Sequence, residues 1–236
     1  GVLIDRFVPE GSNENEAGIE VGTEALPAIY AQRRANRGFE AVAYADGILY
    51  AFIQSPIDDP DTRRDTNSRQ GKSIRILAFD TASNTTVGEY IYMIEGGAVD
   101  KMGDAVALSS TEMLVVERDD AFGPDAQKFI FKINLENATN IHGMELPAGL
   151  QRQSAAGLAM AGIHPVEKTL YVDLAAVGYH MGDKVEGLAF IDENTLAVLN
   201  DNDFGIATTF STTTGLLDEN PNPTPVVLGL IHLTPT

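Results

Sequence analysis

The chain has 236 residues, 16 Lys plus Arg against 34 Asp plus Glu, a formal net charge of −18, and no cysteine. A surface that negative repels phosphate backbones and anionic lipid, so nucleic acid and membrane surfaces are poor partners; divalent cations, which take carboxylate and carbonyl oxygens, suit it. The lack of cysteine excludes disulfides, iron–sulfur clusters, thiolate zinc sites and a thiol nucleophile, and no stretch approaches the roughly 20 apolar residues of a membrane helix.

Strand signals dominate from end to end. Short runs of Val, Ile, Leu, Tyr and Phe are bounded by Gly, Asp, Asn and Pro, the pattern of hairpins. After a polar stretch, Glu10–Asn36, comes Glu40–Ser55 (EAVAYADGILYAFIQS), and a second polar stretch, Pro56–Gly71, follows it. Ser73–Asp80 (SIRILAFD) and Thr86–Ile94 (TVGEYIYMI) form a hairpin about the turn Thr81–Thr85. Asp104–Asp119 (DAVALSSTEMLVVERD) is next, and Lys128–Leu135 then pairs with a segment around Ile141–Leu146. A short helical turn or an Ala/Gly-rich loop occupies Leu150–Ala161. Glu186–Asp201 (EGLAFIDENTLAVLND) precedes the third long polar stretch, Asp201–Pro225. Connections of that length are usually functional loops, and Pro60, Pro221, Pro223 and Pro225 keep them out of a ladder.

The three segments that begin at Glu40, Asp104 and Glu186 align without a gap over 16 residues. Each has an acid, a small residue, Val or Leu, Ala, an apolar residue, a polar turn, an apolar strand and a polar pair. Three such copies, each followed by more strands, indicate a radial repeat. The expectation is an all-β, single-domain β-propeller spanning residues 1–236. It has about three recognisable four-stranded blades plus a partial one, an incomplete ring. Further blades would come from an upstream segment or another chain. The partial match Ala156–Ala159 lacks the acid and reads as a decoy.

Folding each repeat about its central turn places the leading acid opposite the closing pair. Glu40 then neighbours Gln54 and Ser55; Asp104 neighbours Glu117, Arg118 and Asp119; Glu186 neighbours Asn200, Asp201 and, just beyond, Asp203. Equivalent first strands aim their acids at one end of a common channel. Carboxylates gathered there repel and raise each other's pKa unless a cation joins them, and Ca²⁺ with its oxygen ligands resolves the conflict. The metal candidates are therefore Glu40, Asp104, Glu117, Asp119, Glu186, Asn200, Asp201 and Asp203. The competing placement for such an acid is a hydrogen bond to the backbone of the neighbouring blade. Arg118, between two acids, and Arg37 are candidates for clamping a phosphate or carboxylate, or form ordinary ion pairs. His180 is the candidate general acid or base. There is no Gly-x-Ser-x-Gly elbow, phosphate-binding Gly-rich loop, His-Glu-x-x-His or EF-hand loop.

Asn36–Ala43 (NRGFEAVA), Met113–Asp119 (MLVVERD), Lys168–Leu174 (KTLYVDL), Asp183–Gly205 (DKVEGLAFIDENTLAVLNDNDFG) and Leu228–Leu233 (LGLIHL) together resemble the phytase-like propeller family, described as esterase-like activity of phytase. The resemblance implies a secreted or periplasmic bacterial protein that hydrolyses a phosphate ester or similar anionic small molecule with Ca²⁺. Its channel acids would be Glu40, Asp104 and Glu186, with Asn200, Asp201 and Asp203 nearby. The alternatives are a non-catalytic extracellular propeller stabilised by Ca²⁺ and a lactonase-type hydrolase. The family pattern has Glu-Gly where this chain has Glu40-Ala41. It also carries blades upstream, so Leu3–Pro9 reads as the outer strand of a blade whose inner strands are missing.

Overall fold

The computed structural model describes residues 1–14, 17–60, 68–203, 206–219 and 223–233. The chain is all-β, built on antiparallel sheets of three and four strands. Sheet one is β3 (Phe39–Ala45), β4 (Ile48–Ile53), β5 (Ser73–Asp80) and β6 (Thr85–Met93), in sequence order. Sheet two repeats that layout with β7 (Lys101–Ala107), β8 (Glu112–Arg118), β9 (Lys128–Asn134) and β10 (Glu167–Asp173). Sheet three consists of β11 (Lys184–Asp192), β12 (Thr195–Asp201) and β15 (Leu228–His232). The hairpin of β13 (Ile206–Phe210) and β14 (Leu217–Glu219) interrupts it in sequence.

Sheet two is covered on both faces, and its sequence shows why. In β8, Met113 and Val115 join the core shared with Phe52, Ile76 and Tyr92 of sheet one. Their neighbours Leu114 and Val116 point the opposite way, into a core with Leu188, Leu196 and Val198 of sheet three. Successive strand residues face opposite sides, so a sheet packed on both faces needs an unbroken apolar run. Burying each such side chain contributes about 1.5–3 kcal/mol.

The first strands of the three sheets lie together, with β7 between β3 and β11. The Met102 N–H donates to the Gln54 carbonyl at 2.9 Å. At Gly103 a Cβ would stand 2.0 Å from the Val185 carbonyl oxygen, so only glycine admits that approach. The turn of the first repeat has positive φ at Asp46 (50°) and Gly47 (85°), the requirement of a two-residue hairpin that follows strand twist.

Three expectations are corrected. The partner of β9 is β10, not the Ile141–Leu146 segment. Ile141 instead donates its N–H to Glu89 at the edge of sheet one, and its side chain packs with Leu150, Leu158 and Ile163. Within the first long polar stretch, β2 (Thr23–Leu26) pairs in parallel with β1 (Phe7–Pro9), so the opening segment is part of a two-strand ladder against sheet one. The third concerns hairpin register: the turns fall as expected, but a bulge in the first strand offsets the leading acid, so Gly38 rather than Glu40 meets Gln54 and Val185 rather than Glu186 meets Asn200. The decoy Ala156–Ala159 lies within the helix α1 (Ala155–Met160), capped by the Ser154 hydroxyl accepting the Gly157 N–H.

Candidate functional site

Each leading acid of the repeat sits at a β-bulge. The β3–β4 register slips between Phe39 and Ala41, at Glu40; that of β7–β8 slips between Met102 and Ala105, at Gly103-Asp104; that of β11–β12 slips between Val185 and Gly187, at Glu186. A bulge inserts one unpaired residue and re-aims its side chain. The repeated motif thus encodes the same irregularity in all three first strands, and the acid is the residue released from the ladder.

Two of the three acids reach a common cleft of about 330 Å³. Glu40 and Glu186 line it, with Asp120, Asp201 and Asp203. Facing them are Arg37, Lys101, Arg118 and Lys184, four of the chain's 16 basic residues in one small space. Arg118, 1% exposed, is the centre of the charge network. Its Nη1 donates to Asp120 and its Nη2 to Glu186. Lys101 holds Asp120 from the other side and also pairs with Asp100 at 3.1 Å. Lys184 pairs with Asp203, and Arg37 donates to the Gln54 side chain at 2.6 Å.

The electrostatics follow from these contacts. Burial raises the Glu186 carboxyl above its usual range, the Arg118 charge only partly opposing it. Burial acts in the same direction on Asp120, but the Lys101 and Arg118 contacts outweigh it and hold that carboxyl low. Burial works against the Lys184 ammonium, while the hydrogen bond and charge of Asp203 prevail and raise it.

Asp104 is turned elsewhere. Its carboxylate accepts the N–H groups of Ala105 at 2.8 Å and Leu188 at 2.7 Å, the neighbouring-backbone role that competed with metal binding in the sequence. Burial raises this carboxyl as well, with the two donors pulling it back. Among the described residues no three His, Cys, Asp or Glu side chains gather as ligands of one ion. The residues present therefore do not fit one Ca²⁺ shared by Glu40, Asp104 and Glu186. Glu40 and Asp201 fit a cation better. Each accepts one hydrogen bond, from Gly38 and Asp203 respectively, and keeps an oxygen with no partner among the described residues.

The remaining candidates are tied into the framework. Glu117 is fully buried and takes Tyr92, the Glu95 N–H and Lys168, the last at 2.6 Å. It faces sheet one because it alternates with Arg118 along β8. Asp119 accepts from the Ala121 and Gln127 N–H groups and from buried Lys128 at 3.2 Å, closing the loop between β8 and β9. Asn200 donates to the Pro225 carbonyl at 3.0 Å and accepts the Val227 N–H at 2.7 Å, fastening the chain that leads into β15. His180 does not line the cleft; its carbonyl accepts the Gly123 N–H. Phe204 and Gly205, which end the quoted Asp183–Gly205 motif, lie outside the described residues.

Sequence reasoning missed Lys101, Asp120 and Lys184. A signal existed: a basic residue stands two or three positions before each leading acid, as Arg37, Lys101 and Lys184, and all three line the cleft.

The family model described as phytase-like, esterase-like activity of phytase, matches residues 3–204. The chain belongs to this phytase-like family. No curated protein and no solved structure gives a match. Membership suggests a hydrolase of phosphoester type.

Proposed function

We propose that the protein hydrolyses phosphate esters at this cleft, with its sheets acting as consecutive blades of a β-propeller. The observation that carries the reading is the convergence of Arg37, Lys101, Arg118 and Lys184 on one 330 Å³ space in a chain of net charge −18. The same cleft holds five carboxylates against these four cations, so it is the placement of the cations that would orient a phosphate, with a bound metal ion offsetting the acids. Arg118 and Lys101 bind the phosphoryl oxygens, and Arg37 and Lys184 close the two sides. Arginine suits this because its planar fork matches phosphate geometry.

Calcium is the proposed cofactor, and Glu40 and Asp201 are the residues that would hold it. When bound, it would neutralise phosphate charge and act as a Lewis acid on the ester. The blade reading is supported by three sheets whose first strands adjoin and whose apolar faces stack. Three such blades are fewer than the 4–8 of a ring, and Val42 and Tyr44 on β3 and Leu228 and Leu230 on β15 remain exposed. Further blades from the same polypeptide or another chain would cover them. A secreted or periplasmic location belongs to the same proposal and rests on the family resemblance alone; cell fractionation checks it.

The test is an assay of phosphomonoesters, phytate and lactones, each with Ca²⁺ and with chelator. Release of phosphate that the chelator abolishes is the expected result. Turnover of lactones alone would favour a lactonase, and no turnover by the folded protein would leave the non-catalytic reading.

A further inference from the structure

We propose that Glu186 is a built-in competitor for the substrate, occupying on Arg118 the place that an anionic group takes when it binds. The identity of that anion as a phosphate rests on the function proposed above.

Arg118 is only partly satisfied. Its guanidinium meets two carboxylates, yet each contributes a single oxygen to a single nitrogen: Asp120 to Nη1 and Glu186 to Nη2. Its Nε is buried and has no hydrogen-bond partner. Arginine binds oxyanions best through two parallel N–H donors, so the edge carrying Nε and Nη2 is half used. A phosphate, with several oxygens, can span that edge once Glu186 moves off it.

The two carboxylates are not equally held. Asp120 is gripped a second time by Lys101, whereas Arg118 is the one ion-pair partner of Glu186 among the described residues. Glu186 stands on a bulge of β11 with its side chain 31% exposed and can swing to water; Asp120 is more exposed, at 48%, but Lys101 keeps it in place. Arg118 is enclosed between sheets two and three and cannot follow. Burial also makes the ionised form of Glu186 costly, which loosens its hold further. Of the two contacts, the Glu186 contact is therefore the one an incoming anion breaks.

Without a ligand, Glu186 satisfies the Nη2 end of a buried guanidinium whose Nη1 end Asp120 holds. With a ligand, the exchange makes every anion pay for displacing it, which weakens binding but keeps the site folded and selective for groups able to bridge both donors.

Calorimetric titration with inorganic phosphate tests this on the full chain. Glu186→Gln removes the competing charge while keeping the shape, and is expected to bind phosphate about tenfold tighter than the wild type, the size of one charged hydrogen bond. Arg118→Lys should lose that gain in the Glu186→Gln background. Equal or weaker phosphate binding by Glu186→Gln would overturn the proposal. Should that variant fail to fold, a structure of the wild type with phosphate decides: Glu186 displaced from Nη2 supports the exchange, and Glu186 in place refutes it. Because these readouts are binding and geometry, they stand apart from turnover. Tightened phosphate binding without hydrolysis would sink the proposed function and leave this inference intact.

Discussion

The Asp104 carboxylate accepts the Leu188 N–H at 2.7 Å, joining the first strand of sheet two to the first strand of sheet three. An acid that the repeat marks as a channel ligand is thereby a structural tie. Asp104→Ala should destabilise the protein by about 1–3 kcal/mol, since it strands a backbone donor. Asp104→Asn keeps an acceptor for one of the two N–H groups and turns its NH2 toward the other, so it should recover part of the loss. Urea unfolding of the two variants checks this; equal losses would count against the tie.

Calcium should respond to different residues. Ligand binding to the folded state raises stability by mass action, so the melting temperature should climb with Ca²⁺ concentration. Glu40→Gln should flatten that rise, and Asp104→Asn should leave it unchanged. A response lost in Asp104→Asn but kept in Glu40→Gln would place the cation at Asp104 and remove Glu40 from the site.

Glu117 and Lys168 form a buried pair in which Tyr92 also shares the carboxylate. Breaking such a pair from one side leaves a buried charge, at a cost of about 3–5 kcal/mol. Glu117→Gln should therefore lower the melting temperature by several degrees. The double variant Glu117→Gln, Lys168→Met should lose less than the sum of Glu117→Gln and Lys168→Met alone, because the amide oxygen still serves Tyr92 or the Glu95 N–H and no ammonium is left facing it. Additive losses in the double-mutant cycle would show that the pair is not coupled.

Asp120 predicts a pH dependence of known sign. Its folded pKa lies below the 3.8 of the free side chain because Lys101 and Arg118 outweigh burial. A depressed carboxyl contributes stability that is present above 3.8 and lost as pH falls through the folded value. The stability gap between wild type and Asp120→Asn should thus be level near neutrality and shrink on acidification below that point. Denaturation curves across the acid range measure it, and a gap that widens there would reverse the assignment.

Gly103 of sheet two lies hard against the Val185 carbonyl of sheet three. Adding a methyl group there would force it against the Val185 carbonyl, and overpacking of this kind costs about 1–3 kcal/mol. Gly103→Ala should both destabilise the chain and, by parting β7 from β11, separate Arg118 from Glu186. Wild-type stability in this variant would mean that the strands are free to shift.

The all-β class, the three repeats, the hairpin β5–β6 and the family were legible from the amino acids, because alternation, turn residues and motif spacing are local properties. Where each polar side chain ends up was not local. Glu117, Arg118 and Asp119 are adjacent in sequence, yet one faces sheet one, one faces sheet three and one closes a loop. Glu40, Asp104 and Glu186 share a motif and a bulge, but only in space does Leu188 claim Asp104 and Arg118 claim Glu186. The cleft itself, joining Lys101, Asp120 and Lys184 to acids from other strands, depends on how three sheets stack. Side-chain chemistry and strand periodicity are written residue by residue; which charge meets which is decided by distances between strands far apart in the chain.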